Sequence, residues 1–558
     1  MQRWLAAAIP NRWSVQASVV HDGEKQSVNN GGISTRYFVA ALQANNQIRI
    51  PRRRFIQSAI ASLGCAPAIH AKGRTPNILL LFADQHNAGA MSCAGHPQLK
   101  TPHLDALARA GVRFSRAYCQ DGICVPSRTA MMTGKYPRTT GVIDNSDKPP
   151  LVRELLPLQR YLREQGYLTA SIGKRHLKPG TAEDFDYSAT TISPKQDPSD
   201  ENYDDWIAKR GKADAWTRDH AGSLKVPMGC HISELGDDET GEAYTAQKTL
   251  DFLSRARKSG KPFFCWTSFL RPHQPYTPTA TWARLYDPAS VALPGNLREP
   301  ADHLPPMMAR WRANRNTPWS LALAAEDESL YRKYIAYYYG LVAEVDHHIG
   351  RIMDALRREG MAGDTIVLYT ADHGDFVAGH GMIEKCALGH NVYEDTLRVP
   401  LIFSRPGQIR EGQVCSGLAE LIDLYPTLLD LAGLLRPSGY ELAGRSLKST
   451  LEQGAPTGRR AAISENWSQL TVITDRYKFG HWLEPPNPKY DYRRHGDQLF
   501  DLVKDPLEVN NLAKNPEVGE IRAGLEKTAN EWSARTPARA KELSAPSALG
   551  SRAAAKSR

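Results

Sequence analysis

Cys124-Val125-Pro126-Ser127-Arg128, continuing through Met132 to Thr133-Gly134, is the segment of this chain best suited to chemistry. Pro126 at a first helical position and Gly134 as a stop predict a short helix with Cys124 at its N-terminus. Unsatisfied amides and the positive end of the helix dipole favour an anion there. A cysteine so placed is an activated thiolate. Asp84-Gln85, Lys174 with His176, His273, and Asp372-His373 each follow directly on an apolar run. Any one of these polar exits alone is an ordinary loop start. Four of them spread over nearly 300 residues gain meaning if the fold brings them to one place.

The elements that must do this are strands. Residues 76–83 form a short, nearly continuous apolar run, the pattern of a strand covered on both faces. Further strands are predicted at Leu168 to Ile172, Pro262 to Phe269, Thr365 to Ala371 and Val399 to Phe403, with helices near 152–165, 242–259 and 328–359 between them. Thr101-Pro102, Leu104, Leu107 and Gly111 read as an N-cap, a first-turn proline, a helix and its glycine stop. This alternation implies an α/β fold, a large mainly parallel sheet flanked by helices. In such sheets ligands sit at the carboxyl ends of the strands, where the polar exits lie. After about residue 440 shorter segments, 472–474, 477–479 and 498–502, precede a helix near 516–533 and predict a smaller C-terminal α+β domain. The expected division is 1–74 extension, 75–439 catalytic domain, 440–534 subdomain and 535–558 disordered basic tail.

The Cys124 segment resembles the sulfatase signature, CxPSR followed by a short helix and Thr-Gly. Gly173-Lys174-Arg175-His176-Leu177 is similar to the family's GKWHL stretch, with Arg175 in place of Trp, and Pro272-His273-Gln274-Pro275 to its PHxP stretch. The spacing from Asp372-His373-Gly374 through Gly379-His380-Gly381 to Lys385 resembles the iduronate-2-sulfatase-like branch. The resemblance runs from Asn77 through residues 398–402 to 499–502 and Asp505-Pro506. It implies an alkaline-phosphatase-like fold and a sulfuric ester hydrolase in which Cys124 becomes formylglycine, with a maturation enzyme as partner. It also implies that Asp84, Gln85, Asp372 and His373 hold calcium, or magnesium, and that Lys174 and Lys385 bind sulfate oxygens. His176 then supports the formylglycine hydroxyl, His273 contacts the sulfate or leaving oxygen, and Arg128 lines the site. Crowding by Lys174 and a cation is expected to depress the Lys385 pKa and suit it to general-acid work, with His273 as competitor. His380 and His390 fit either substrate contact or loop ordering. Many sulfatases carry Asp-Asp where this chain has Asp84-Gln85. Choline-sulfatase-like and phosphonate-monoester-hydrolase-like relatives carry Asp-Gln, which keeps phosphonate monoester or phosphodiester hydrolysis as the alternative. A non-catalytic carbohydrate-binding relative would have lost a charged position, and none is lost.

Charge and cysteines bound the rest. The formal charge of +10 resides at the ends, +8 in residues 1–74 and +5 in 535–558, leaving −3 in the body. A slightly acidic body excludes a broad nucleic-acid surface, so an anionic substrate must meet a few placed cations. Pro51-Arg52-Arg53-Arg54-Phe55-Ile56-Gln57 and the mildly apolar stretch after it resemble a twin-arginine export signal, which implies the twin-arginine export machinery as partner and a periplasmic or secreted location. No run reaches the length of a membrane span. Cys93, Cys119, Cys230, Cys265, Cys386 and Cys415 show no CxxC spacing, and Cys265, in an apolar run, is expected to be a buried thiol. The loops 185–240 and 293–325 are long enough to be functional insertions. Their Trp206, Trp216, Trp311 and Trp319 are assigned to packing rather than to sugar stacking.

Overall fold

In β1 (Asn77–Asp84) every residue after Asn77 is buried. Ile78, Leu80 and Phe82 join one apolar layer while Leu79, Leu81 and Ala83 join the opposite one. A strand sealed on both faces belongs at the centre of a parallel sheet. The computed structural model describes residues 75–145, 155–178, 182–191, 201–385, 391–466, 469–484, 491 and 493–536. The twin-arginine segment, the basic tail beyond 536, Cys386 and His390 lie outside the described residues.

Among the described residues the central sheet has ten strands. Besides β1 they are β2 (Gly111–Tyr118), β3 (Leu168–Gly173), β4 (Tyr187–Thr190), β5 (Glu201–Asn202), β6 (Phe263–Pro272), β7 (Thr365–Ala371), β8 (Arg398–Ser404), β9 (Gln413–Cys415) and β10 (Ala419–Glu420). Their order is β10-β2-β8-β7-β1-β6-β3-β4-β5, with β9 also paired to β2. β8 runs antiparallel to both its neighbours and every other pairing is parallel. Leu79 lies opposite Val367 on one side and Cys265 on the other, so β7, β1, β6 and β3 end together.

Helices cover both faces: α1 (Pro102–Arg109), α2 (Cys124–Thr133), α3 (Leu158–Glu164), α4 (Gly241–Ser259), α5 (Glu328–Arg358) and α6 (Leu424–Ala432). Leu104, Leu107, Phe252, Leu253, Val345 and Ile349 seal one layer; Leu158, Leu162, Leu424 and Leu428 are in the other. Each such side chain contributes roughly 1.5–3 kcal/mol when fully buried, so packing rather than propensity holds these helices. A second, antiparallel sheet of β11 (Ala462–Glu465), β12 (Gln469–Ile473), β13 (Tyr477–Trp482) and β14 (Gln498–Asp501) follows. Leu525, Ala529 and Trp532 of α7 (Gly519–Arg535) pack on Val472, Phe479 and Leu499. No helix among the described residues is long and apolar enough to cross a membrane.

Several expectations are corrected. Thr101 makes no side-chain cap; Asp346 of α5 instead accepts from the amides of His103 (3.2 Å) and Leu104 (2.8 Å). Gly111 does not stop α1 but opens β2, where a Cβ would sit 1.9 Å from the Phe403 carbonyl oxygen. α2 starts at Cys124, which makes Pro126 its third residue, and Gly134 closes it at φ +65°. The helix expected near 152 begins at Leu158. β2, β4, β5, β9, β10 and β11 were not legible, because β2 mixes Arg113, Ser115 and Arg116 into its run and the others span two to four residues. Trp206 and Trp216 pack around Tyr203, and Trp311 against Trp319 at 6.2 Å. Cys265 is a buried thiol that burial pushes up to about 12, and no disulfide joins the described cysteines.

Candidate active site

The four polar exits meet. Asp84 ends β1, Lys174 follows β3, His273 follows β6 and Asp372 follows β7. Lys174 Nζ lies 2.5 Å from Asp84 Oδ2, and His273 Nε2 lies 3.8 Å from Asp84 Oδ1. Gly173 makes the turn that delivers Lys174: its φ is +92°, and a Cβ there would fall 2.0 Å from the Ser268 carbonyl oxygen. Glycine is the residue that fits such an approach.

Every residue of α2 is buried, and its first turn faces these strand ends. Arg128 is the hub. Its Nε donates to Asp372 Oδ2 and its Nη2 to Asp84 Oδ2, both at 2.7 Å. Nη1 donates to the Lys174 carbonyl at 2.6 Å and to Ser268 Oγ at 3.1 Å, and the guanidinium lies over Phe82, 4.8 Å from the ring centroid. The planar fork thus spans two carboxylates from different strands, which a lysine cannot do. Ser127 Oγ donates to the Asp372 carbonyl at 2.6 Å.

Around Cys124 Sγ stand His373 Nε2 at 3.2 Å, Asp84 Oδ1 at 3.8 Å and Lys174 Nζ at 3.9 Å. Burial alone would raise this thiol, yet Lys174, Lys385 and His373, with a hydrogen bond from His176, hold it well below its ordinary value. Burial and the Cys124 charge oppose ionisation of Asp84, but Lys174, His273 and Arg128 hold its carboxyl well below the usual carboxylate range. Asp372 is shifted up by burial and by the charge of Asp84. Burial, reinforced by Lys174, brings His273 down to about 4, so it is neutral at neutral pH and its contact with Asp84 is not an ion pair. Its Nδ1 bonds the Gln274 carbonyl at 2.8 Å. His176 is lowered by burial, and its buried Nδ1 has no hydrogen-bond partner among the described residues.

Lys385 lies in the loop after β7. Burial would lower it, but Cys124, Glu384, Asp84 and Asp372 together hold the ammonium above its ordinary range. With Cys124 as a thiolate and no cation bound, negative neighbours outweigh burial at this side chain. Its Nζ donates to Gln85 Oε1 at 3.0 Å. His380 pairs with buried Glu299, a loop-ordering contact, and His390 lies outside the described residues.

The donor set suits a hard divalent cation. Ligand atoms of Asp84, Cys124, Asp372 and His373 all lie within 4.8 Å of one another. His373 Nδ1 bonds the Gly374 carbonyl at 2.9 Å, which turns Nε2 toward the cluster, and against burial the charges of Asp372 and Cys124 hold the ring above its ordinary value when no cation is bound. The two carboxylates and one imidazole nitrogen are donors that suit calcium or magnesium, while the Cys124 sulfur in the same cluster is the one soft donor. Asp375, Tyr276 and Tyr334, which hold Gln85 from behind, escaped the sequence reading. The one trace was the acid immediately after Asp372-His373-Gly374.

Fold and site together define a hydrolase that receives an oxyanion ester at the carboxyl ends of a mostly parallel sheet. The chain belongs to the sulfatase family: the profile described as Sulfatase matches residues 76–434. A second profile, described as N-sulphoglucosamine sulphohydrolase, C-terminal, matches residues 379–535. A choline-sulfatase of Rhizobium meliloti is 30% identical over 464 residues, 79% of this chain and 83% of that protein. Among solved structures, a phosphonate monoester hydrolase of Agrobacterium radiobacter is similar at TM-score 0.69 and 26% identity, covering 83% of this chain and 96% of its own. A 2-O GAG sulfatase is similar at TM-score 0.64 and 27% identity, covering 83% and 93%. The protein is a sulfuric ester hydrolase of the alkaline-phosphatase-like superfamily.

Proposed function

We propose that the chain hydrolyses a sulfate ester carried on a carbohydrate, using Cys124 converted to formylglycine and a divalent cation held by Asp84, Gln85, Asp372 and His373. The observation that carries this reading is the convergence on Cys124 Sγ of His373, Asp84 and Lys174, each within 3.9 Å. Sγ marks the position of the formylglycine oxygen. In the mature enzyme the hydrated aldehyde supplies a hydroxyl nucleophile for sulfur, which divides the reaction into two easier steps. The cation supplies charge for that hydroxyl and for the sulfate oxygens.

The protein's own groups do the rest. Lys174 and Lys385 bind sulfate oxygens, and Arg128 holds the Asp84 and Asp372 carboxyl groups in register. His176 hydrogen-bonds the group at position 124 and offers Nδ1 to the substrate. His273 Nε2 faces Asp84 from the β6 exit, positioned to meet the leaving oxygen. The carbohydrate assignment draws support from the likeness to the 2-O GAG sulfatase. The export-signal resemblance at Arg52-Arg53-Arg54 makes the protein periplasmic or secreted, with formylglycine formed before translocation.

A second reading, hydrolysis of a phosphonate monoester, is favoured by Asp84-Gln85 and by the likeness to the Agrobacterium enzyme. Parallel assays on aryl sulfate, aryl phosphonate and defined sulfated saccharides separate the two; a strong preference for phosphorus would sink the sulfate assignment. Cys124→Ala is expected to lower turnover by about four to six orders of magnitude with the fold intact. Mass spectrometry of the Cys124 peptide should find the aldehyde or its hydrate, and unmodified thiol alone in an active preparation contradicts the mechanism.

A further inference from the structure

Gln85 is the position at which this chain departs from the commoner Asp-Asp pair, and its surroundings are unusually restrictive. Its φ is +64°, a strained region for a residue with a side chain, and it is fully buried. Its amide N–H donates to Asp372 Oδ1 at 3.0 Å and its carbonyl accepts from Tyr338 OH at 2.9 Å, so the backbone is fixed on both sides. The side-chain amide lies between Asp375 and Lys385. Nε2 donates to Asp375 Oδ2 at 2.7 Å, with Tyr276 OH at 3.2 Å and Gln274 Oε1 at 3.3 Å as further acceptors. Oε1 accepts from Lys385 Nζ.

A carboxylate only accepts and an ammonium only donates. A flipped amide would set oxygen against carboxylate and N–H against ammonium, so one orientation survives. Asp375 is itself held by neutral donors: Tyr334 OH and the Val377 amide (2.9 Å) on Oδ1, Tyr276 OH (2.9 Å) and Gln85 on Oδ2. No lysine or arginine pairs with it among the described residues. A second carboxylate at position 85 would therefore face Asp375 in a buried site with one donor lost and no cation between them.

We propose that Asp375 is a positioning residue that turns the Gln85 amide oxygen toward the cation site, and that it is the reason glutamine rather than aspartate serves at position 85. The inference rests on the divalent-cation reading above. Its core is the juxtaposition of an acceptor-only and a donor-only group across one buried amide.

The test is calcium affinity by titration calorimetry on metal-stripped mature enzyme: wild type, Asp375→Asn, Gln85→Asp and the double variant. Far-UV circular dichroism in chelator checks each fold. The amide introduced by Asp375→Asn would keep its oxygen on Tyr334 and Val377 and turn its N–H to residue 85. This single variant should therefore flip Gln85 and weaken calcium about 10- to 100-fold, the usual range for partners behind a ligand. Gln85→Asp should weaken it similarly. In the double variant the new amide at position 375 donates to the new carboxylate at position 85. Affinity should then recover at least about tenfold over Gln85→Asp, a coupling that independent sites do not show. Unchanged affinity in Asp375→Asn, or a double variant as weak as the sum of its parts, overturns the proposal. If Asp375→Asn does not fold, the comparison of Gln85→Asp with the double variant decides alone. A wild type that binds neither calcium nor magnesium overturns the cation reading itself, a result distinct from all of these.

Discussion

Replacing Arg128 by Met isolates what holds the two central carboxylates together. Met is unbranched and retains contact with Phe82, so little packing is lost, but five hydrogen bonds go. Asp84 Oδ2 retains Lys174 at 2.5 Å, whereas Asp372 loses its guanidinium and keeps the longer His373 contact, 3.8 Å from Oδ1. Leaving a buried charge without its partner costs about 3–5 kcal/mol, and with His373 still beside Asp372 the lower end, about 3 kcal/mol, sets the scale here. A divalent cation on the same carboxylates would offset part of the loss through its binding free energy, so calcium should stabilise Arg128→Met more than wild type. The assay is urea unfolding of both proteins in chelator and in calcium, with the midpoint shift converted through the slope. A variant that loses less than about 1 kcal/mol in chelator refutes the account of Arg128 as the essential counter-charge. A variant indifferent to calcium refutes the idea that cation and guanidinium share one pair of carboxylates.

Two further outcomes test the scaffold. His348, on α5, is brought down to about 3 by burial, aided by Arg351 and His347. Its unfolded value is near 6.5, so the unfolded chain binds the extra proton. Stability is full above about pH 6.5 and falls as pH drops toward 3, by about 2 kcal/mol at pH 5. His348→Leu should flatten the pH 6.5–5 part of the stability profile, and an unchanged slope assigns the loss elsewhere. Gly173→Ala should cost several kcal/mol and displace Lys174, because φ +92° and the 2.0 Å approach to Ser268 both exclude a Cβ. A soluble variant with wild-type midpoint and KM would show that the β3 exit tolerates what its geometry forbids.

The sheet centre was legible because β1, β3, β6, β7 and β8 are sealed on both faces and so read as mostly apolar runs with small polar residues among them, such as Thr169 and Ser171 of β3. Its edges were not: strands of two to four residues carry too little pattern, and their existence depends on the neighbour they pair with. Among site residues, Cys124, Asp84, Lys174, His273 and Asp372 stood out because each begins, ends or follows a local element whose type announces itself. Asp375, Tyr276 and Tyr334 did not, since an acid in a loop and tyrosines in a helix or loop are unremarkable until the chain brings the tyrosines from 41 and 99 residues away onto the Asp375 carboxylate.

Sequence alone thus determined the chemistry available: a cysteine at a helix start, two strand-end aspartates, two lysines and three histidines. Tertiary structure decided their charges. With Cys124 as a thiolate, Lys385 is pushed up and His273 brought down because each answers to the sum of burial and neighbouring charge from strand ends, helix and loop, a sum that no spacing along the chain contains. It also decided the direction of the Gln85 amide, since hydrogen-bond polarity depends on which groups stand at its two ends in space.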